Sequence, residues 1–270
     1  MPALVRRTAA LLFLSGLCAV AYQVAWLRLL RLVFGASTAA SAAVLAIFMG
    51  GLGIGGLVLG RRADRSPSPL RLYAHLELGV ALAAAASPLL IGAARDAYIA
   101  LGGTAALGPF GGNAVRLVLA ALVLGVPTFL MGGTLPAAAR AAAEAGDRGR
   151  RSLGLLYGVN TLGAVTGALL TTFFAVELLG TRRAIWTAAA LNALVGVLAR
   201  AWAREADPIE ASASGREEPV DPIEAPGDGR RDSRTGLVLV AAGLAGFVFF
   251  LMELVWYRML GPILGGTSYT

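Results

Sequence analysis

The sequence predicts an all-α, polytopic membrane protein: six transmembrane helices, then a seventh that opens a second repeat. Three observations predict it. Of 270 residues, 57% are hydrophobic and only 14% charged, with a mean hydropathy of +0.72. A soluble domain is about a quarter charged and cannot hide so much apolar surface. The apolar residues fall into seven runs, each near the roughly 20 residues that a helix needs to cross the hydrocarbon. The basic residues, all 23 of them arginine, cluster between those runs. No run alternates with the period of two that a barrel strand shows, and in lipid the backbone must satisfy its own hydrogen bonds, so each run reads as a helix.

The first span is expected over 8–30, the second over 37–60, the third over 70–94 and the fourth over 113–135. The fifth is expected over 153–179, the sixth over 184–202, and the seventh from 236 to about 264. Residues 1–202 then form a six-helix membrane bundle, and 236–270 carry the first helix of a second, truncated repeat. Between them, 203–235 is rich in Glu, Asp, Pro, Gly and Ser, and repeats Asp207-Pro208-Ile209-Glu210-Ala211 as Asp221-Pro222-Ile223-Glu224-Ala225. Such a segment buries no core and reads as a disordered cytoplasmic linker.

Arginine placement sets the orientation. With the N-terminus in the cytoplasm, sixteen arginines lie inside, among them Arg6, Arg7, Arg61, Arg62 and Arg65. Seven lie outside or at outer helix ends: Arg28, Arg31, Arg95, Arg116, Arg182, Arg183 and Arg258. The bias predicts a multi-pass protein of the inner (plasma) membrane, N-terminus inside, with the lipid bilayer as its partner. The formal charge of +7 is accounted for by these clusters, and nucleic acid is not an expected partner. One Cys and one His leave no disulfide, no Ser-His-Asp or Cys-His pattern and no metal constellation. Neither a cofactor nor a metal is expected.

The first and seventh runs are copies. Residues 16–40 read GLCAVAYQVAWLRLLRLVFGASTAA and 246–270 read GFVFFLMELVWYRMLGPILGGTSYT. At a constant offset Gly16 aligns with Gly246, Trp26 with Trp256, Arg28 with Arg258 and Gly35 with Gly265, while Gln23 faces Glu253. This reads as a duplicated six-helix unit, cut short after the first helix of its second copy. The repeat also argues against a signal peptide at the N-terminus, because the same pattern recurs deep in the chain.

Gly51-Leu52-Gly53-Ile54-Gly55-Gly56 fits a dinucleotide fingerprint but lies inside an apolar span, with no strand before it. Gly51 with Gly55 and Gly56 with Gly60 are instead small residues four apart, which let a second backbone approach. Ionisable or polar groups inside a span are functional candidates, because placing them there is costly. Glu77 in the third span, Gln23 in the first, Asn160 in the fifth and Glu253 in the seventh form the candidate intramembrane polar site. Glu77 either holds a cation or pairs with a loop arginine near the interface. Asn160, Thr161 and Asn192 are candidates to bridge helices by hydrogen bonds. Pro127 and Pro136 flank Met131-Gly132-Gly133-Thr134, either lining a cavity or simply kinking the helix.

After the second span, Gly60-Arg61-Arg62-Ala63-Asp64-Arg65 resembles the G-x-x-x-D-R loop of major facilitator transporters. That resemblance implies that Asp64 and Arg65 belong to a cytoplasmic charge network; an ordinary positive-inside loop is the other reading. Four further segments resemble one family. They are Tyr22-Gln23-Val24-Ala25-Trp26-Leu27-Arg28; Leu76-Glu77-Leu78-Gly79; Pro127-Thr128-Phe129-Leu130-Met131-Gly132-Gly133-Thr134-Leu135-Pro136; and Leu156-Tyr157-Gly158-Val159-Asn160-Thr161-Leu162-Gly163-Ala164. The chain is similar to the membrane part of bacterial proteins in which a facilitator-like bundle is fused to a spermidine synthase-like domain. The family has Glu where this chain has Gln23, and the second copy keeps Glu253. The resemblance implies a facilitator-like half that either moves a polyamine-related solute or anchors the synthase, with a second half and a synthase domain as missing partners. An aminopropyltransferase activity, the other function the family name carries, needs a soluble domain for which the chain has no segment; a general facilitator-type transporter remains the further alternative.

Overall fold

The computed structural model describes residues 3–35, 38–144, 150–214 and 233–263. Among them the chain is helical nearly throughout. The helices are α1 (Ala3–Phe34), α2 (Thr38–Asp64), α3 (Pro69–Ala100), α4 (Gly103–Gly132), α5 (Thr134–Glu144), α6 (Arg150–Leu170), α7 (Val176–Leu179), α8 (Thr181–Ser214) and α9 (Ser233–Ile263). Six stretches among the described residues are long and apolar enough to cross a membrane: Val5–Arg31, Ser41–Asp64, Pro69–Ala100, Gly103–Ala143, Leu153–Leu179 and Thr181–Glu205. The chain is therefore a multi-pass helical membrane protein.

Local chemistry explains the breaks. Pro69 opens α3, where its missing N–H is no loss. The α3–α4 hairpin closes through Gly102 (φ 79°) and Gly103 (φ 57°), a left-handed pair that glycine adopts without a Cβ penalty. The expected fourth span starts at 113, ten residues after α4 begins at Gly103. In the fold Gly108 (φ 69°, ψ 174°) makes a kink and Pro109 restarts the helix beyond it. The fourth span continues as α5 past the Gly133 turn, and the fifth passes from α6 through a π-helical turn, Thr171–Ala175, into α7. α8 runs on to Ser214, past the expected linker boundary at Ala203, through Ala-Trp-Ala-Arg-Glu-Ala, a run rich in good helix formers. The rest of the expected linker, from 215 to 232, lies outside the described residues.

The chain divides into two compact units, Met1–Glu205 and Ala206–Thr270. Within the first, α1 packs chiefly on α6, and α2 on α4. Both seams are built on glycines. A Cβ at Gly163 would overlap the Phe13 carbonyl, one at Gly167 the Leu17 carbonyl, and one at Gly16 the Asn160 carbonyl. Across the other seam, Gly51 meets Thr128, Gly55 meets the Phe129 carbonyl and Gly132 meets the Leu52 carbonyl. Gly56 lies against Gly132 and Gly60 against Pro136. With lipid on one side and helix on the other there is little hydrophobic drive between helices, so close backbone approach supplies the packing. Asn160 sits on α6 at the Gly16 contact, half-buried.

α3 and α8 are tied at three levels. Asn192 Nδ2 donates to the Glu77 carbonyl at 2.7 Å, Trp186 Nε1 to the Ala85 carbonyl at 3.1 Å, and Arg200 lies 2.8 Å from His75 Nε2. Pro88 inside α3 removes the N–H that would reach Ala84 O. Ser87 Oγ donates to that same carbonyl at 2.7 Å, and buried Trp26 Nε1 donates to Ser87 Oγ at 2.7 Å. Trp26 also stacks on Tyr22, with centroids 5.4 Å apart. Ser87→Ala strips both the indole and the carbonyl of their partner at once. It is expected to cost about 1–2 kcal/mol, read as a lower unfolding temperature of the purified protein.

The described part of the second unit carries α9.

Candidate functional site

The buried apolar residues of the first unit form two clusters. One is built around Cys18, Tyr22, Trp26, Val80 and Ala189; the other around Leu11, Leu12, Tyr73, Leu76 and Val195. Along each of three helices the switch from one cluster to the other brackets a polar residue. On α1 it is Ser15, between Leu12 and Cys18. On α3 it is Glu77, between Leu76 and Val80. On α8 it is Asn192, between Ala189 and Val195. A polar layer thus crosses the core, near the middle of the first and sixth spans.

Glu77 is the centre of that layer. It is 1% exposed and is the one charged side chain in the buried set of the described residues. Ser15 Oγ donates to its Oε1 at 2.6 Å, and Asn192 holds its backbone carbonyl. The Tyr73 hydroxyl, one turn earlier on the same face, approaches the carboxyl without a well-formed hydrogen bond. No guanidinium is among the hydrogen-bond partners of the Glu77 side chain. α1 carries Thr8, Ser15 and Tyr22 seven residues apart, one stripe facing the core. Of this stripe and its neighbour on α3, Thr8 Oγ1, Tyr22 Oη and Tyr73 Oη are buried with no hydrogen-bond partner. Buried hydroxyls without partners are rare enough to need a reason.

The other sequence-derived candidates lie elsewhere. Gln23 is half-buried on α1, two turns beyond Ser15, and Asn160 belongs to the α1–α6 seam. Asp64 ends α2 and Arg65 follows it, both exposed at the turn into α3. Glu253 falls within α9, and its side chain lies outside the described residues. Sequence reasoning did not single out Ser15, a lone hydroxyl in an apolar run; the heptad spacing Thr8, Ser15, Tyr22 was the available signal. A second tie lies at the α1–α8 end, where Arg7 pairs with Glu205 at 3.2 Å and sits over the Trp202 ring. It is exposed, and such pairs contribute little.

Among the described residues, six candidate spans with one enclosed carboxyl define the class: a multi-pass membrane protein with a polar layer in its core. No protein-family model matches the chain, and no curated protein is significantly similar to it.

Proposed function

We propose that residues 1–205 are one half of a facilitator-type transporter, related to the bundle of the fused facilitator/spermidine synthase-like proteins, and that it moves a cationic, amine-bearing solute of the polyamine class. The observation that carries this reading is Glu77, a fully buried carboxyl with no basic partner in its hydrogen-bond shell. An intramembrane charge that no structural pair explains is a functional site by default. The pairing of helices supports the architecture. Exchanging the first three spans with the last three turns the α1–α6 seam into the α4–α2 seam, and both carry small residues four apart on one partner, Gly163/Gly167 and Gly51/Gly55. That is the relation expected of three-plus-three inverted repeats. In this reading α9 opens a second copy of the unit, and Glu253 takes the place of Gln23 in it.

Arginine asymmetry supports a cytoplasmic N-terminus in the inner (plasma) membrane. The only Cys, Cys18, is buried, so single-cysteine labelling reads the topology directly. In intact cells, Leu101→Cys should react with a membrane-impermeant maleimide, whereas Asp64→Cys should react only after permeabilisation. The reverse pattern inverts the orientation, and labelling of both in intact cells removes the multi-pass arrangement. A second reading, that the bundle only anchors a synthase, follows from the same resemblance. Labelled spermidine separates them: transport predicts flux above vector-only cells, anchoring predicts none.

A further inference from the structure

The side chains that reach the buried Glu77 carboxyl among the described residues carry no positive charge. α1 presents Ser15, Cys18 and Tyr22, α3 presents Tyr73, and α8 presents Asn192. The nearest level of basic groups on the α3–α8 pair is His75 with Arg200, exposed at the bundle end. Moving a lone carboxylate out of water costs far more than one hydroxyl hydrogen bond returns. A closed site also excludes any bulky counter-ion. The ligand that neutralises a carboxylate without occupying volume is a proton.

We propose that in this enclosed state Glu77 carries a proton, and that this proton is the ion exchanged for the cationic solute; the inference rests on the transport reading above. The neutral acid suits its surroundings. Oε1 accepts from Ser15 Oγ at 2.6 Å, which leaves the second carboxyl oxygen to carry the O–H. When the bundle opens and an ammonium group enters, the carboxyl O–H bond breaks and the proton leaves to water. An N–H···O⁻ ion pair forms in its place. The carboxylate and the one ammonium group paired with it are together neutral, as the protonated acid was, so neither state leaves the carboxylate bare. The other ammonium groups of a polyamine stay in the water that enters with it. The buried, unpartnered hydroxyls of Tyr22 and Tyr73 supply spare hydrogen-bonding capacity for that change.

Infrared difference spectroscopy of the full chain in nanodiscs tests this independently of flux. Acid-minus-alkaline spectra should contain a protonated-carboxyl C=O band that Glu77→Gln removes and Ser15→Ala shifts. Adding spermidine at fixed pH should bleach that band and release about one proton per site, read with a pH dye. Absence of any band removed by Glu77→Gln overturns the proton, even if spermidine flux persists. A band that titrates normally in a protein that moves no spermidine overturns the transport reading and leaves the proton in place. If Glu77→Gln does not fold, Ser15→Ala decides, since it keeps the carboxyl; an unshifted band then counts against the proposal.

Discussion

Gly55→Leu should abolish assembly of the bundle, while Gly53→Leu, two residues away, should leave it intact. The two glycines share a helix, a composition and a depth. They differ in what a side chain would meet. A Cβ at Gly55 overlaps the backbone carbonyl of Phe129, and its α-carbon neighbour is 3.0 Å away. Backbone cannot rotate aside as a side chain can, so α2 and α4 would have to separate along the whole seam. Overpacking of side chains alone costs about 1–3 kcal/mol, and a backbone overlap exceeds it. Gly53 has nothing within 4 Å and is exposed, so a leucine there adds apolar surface to a lipid-facing position. The expected result is loss of the monodisperse species in detergent for Gly55→Leu and a profile like wild type for Gly53→Leu. Equal behaviour of the two would mean that α2 and α4 do not meet as described.

Glu77→Leu should leave the bundle as stable as wild type or more so, by about 1 kcal/mol, and without flux. The carboxyl is costly to bury, and leucine is close to it in bulk while leaving only Ser15 Oγ without its acceptor. The Ser15 hydroxyl left behind can turn to a carbonyl of its own helix. Asn192 is untouched, because it holds the Glu77 backbone and not the side chain. Trp26→Ala in the same thermal assay should cost about 3 kcal/mol or more, since it removes a fully buried indole with its Ser87 hydrogen bond. A residue that can be deleted without loss of stability, at a depth where charge is expensive, is retained for something other than folding. A strong destabilisation by Glu77→Leu would instead make the carboxyl a structural group.

The spans were legible because length and apolarity are set by the bilayer, and a run such as 70–94 has no alternative in lipid. Helix ends were less so. The expected spans leave 95–112 between them, and the fold fills that interval with the end of α3, a two-glycine turn at Gly102 and Gly103, and a kink at Gly108 inside α4. Glu77 was legible as a charge among leucines and alanines. Its surroundings were not, because Ser15 reaches it across 62 positions of sequence, a pairing that only packing of α1 on α3 creates. The role of Trp26 was hidden for the same reason: Pro88 on another helix frees the carbonyl whose cap it supports.

The most direct measurement is the initial rate of spermidine flux for wild type and Glu77→Gln at equal amounts of folded protein. Glutamine keeps the shape and a hydrogen bond to Ser15 but has no charge to give or take. Loss of a buried ion pair with the solute predicts a fall of at least about tenfold. Equal rates in the two proteins would contradict the assignment of the enclosed carboxyl as the solute-binding charge.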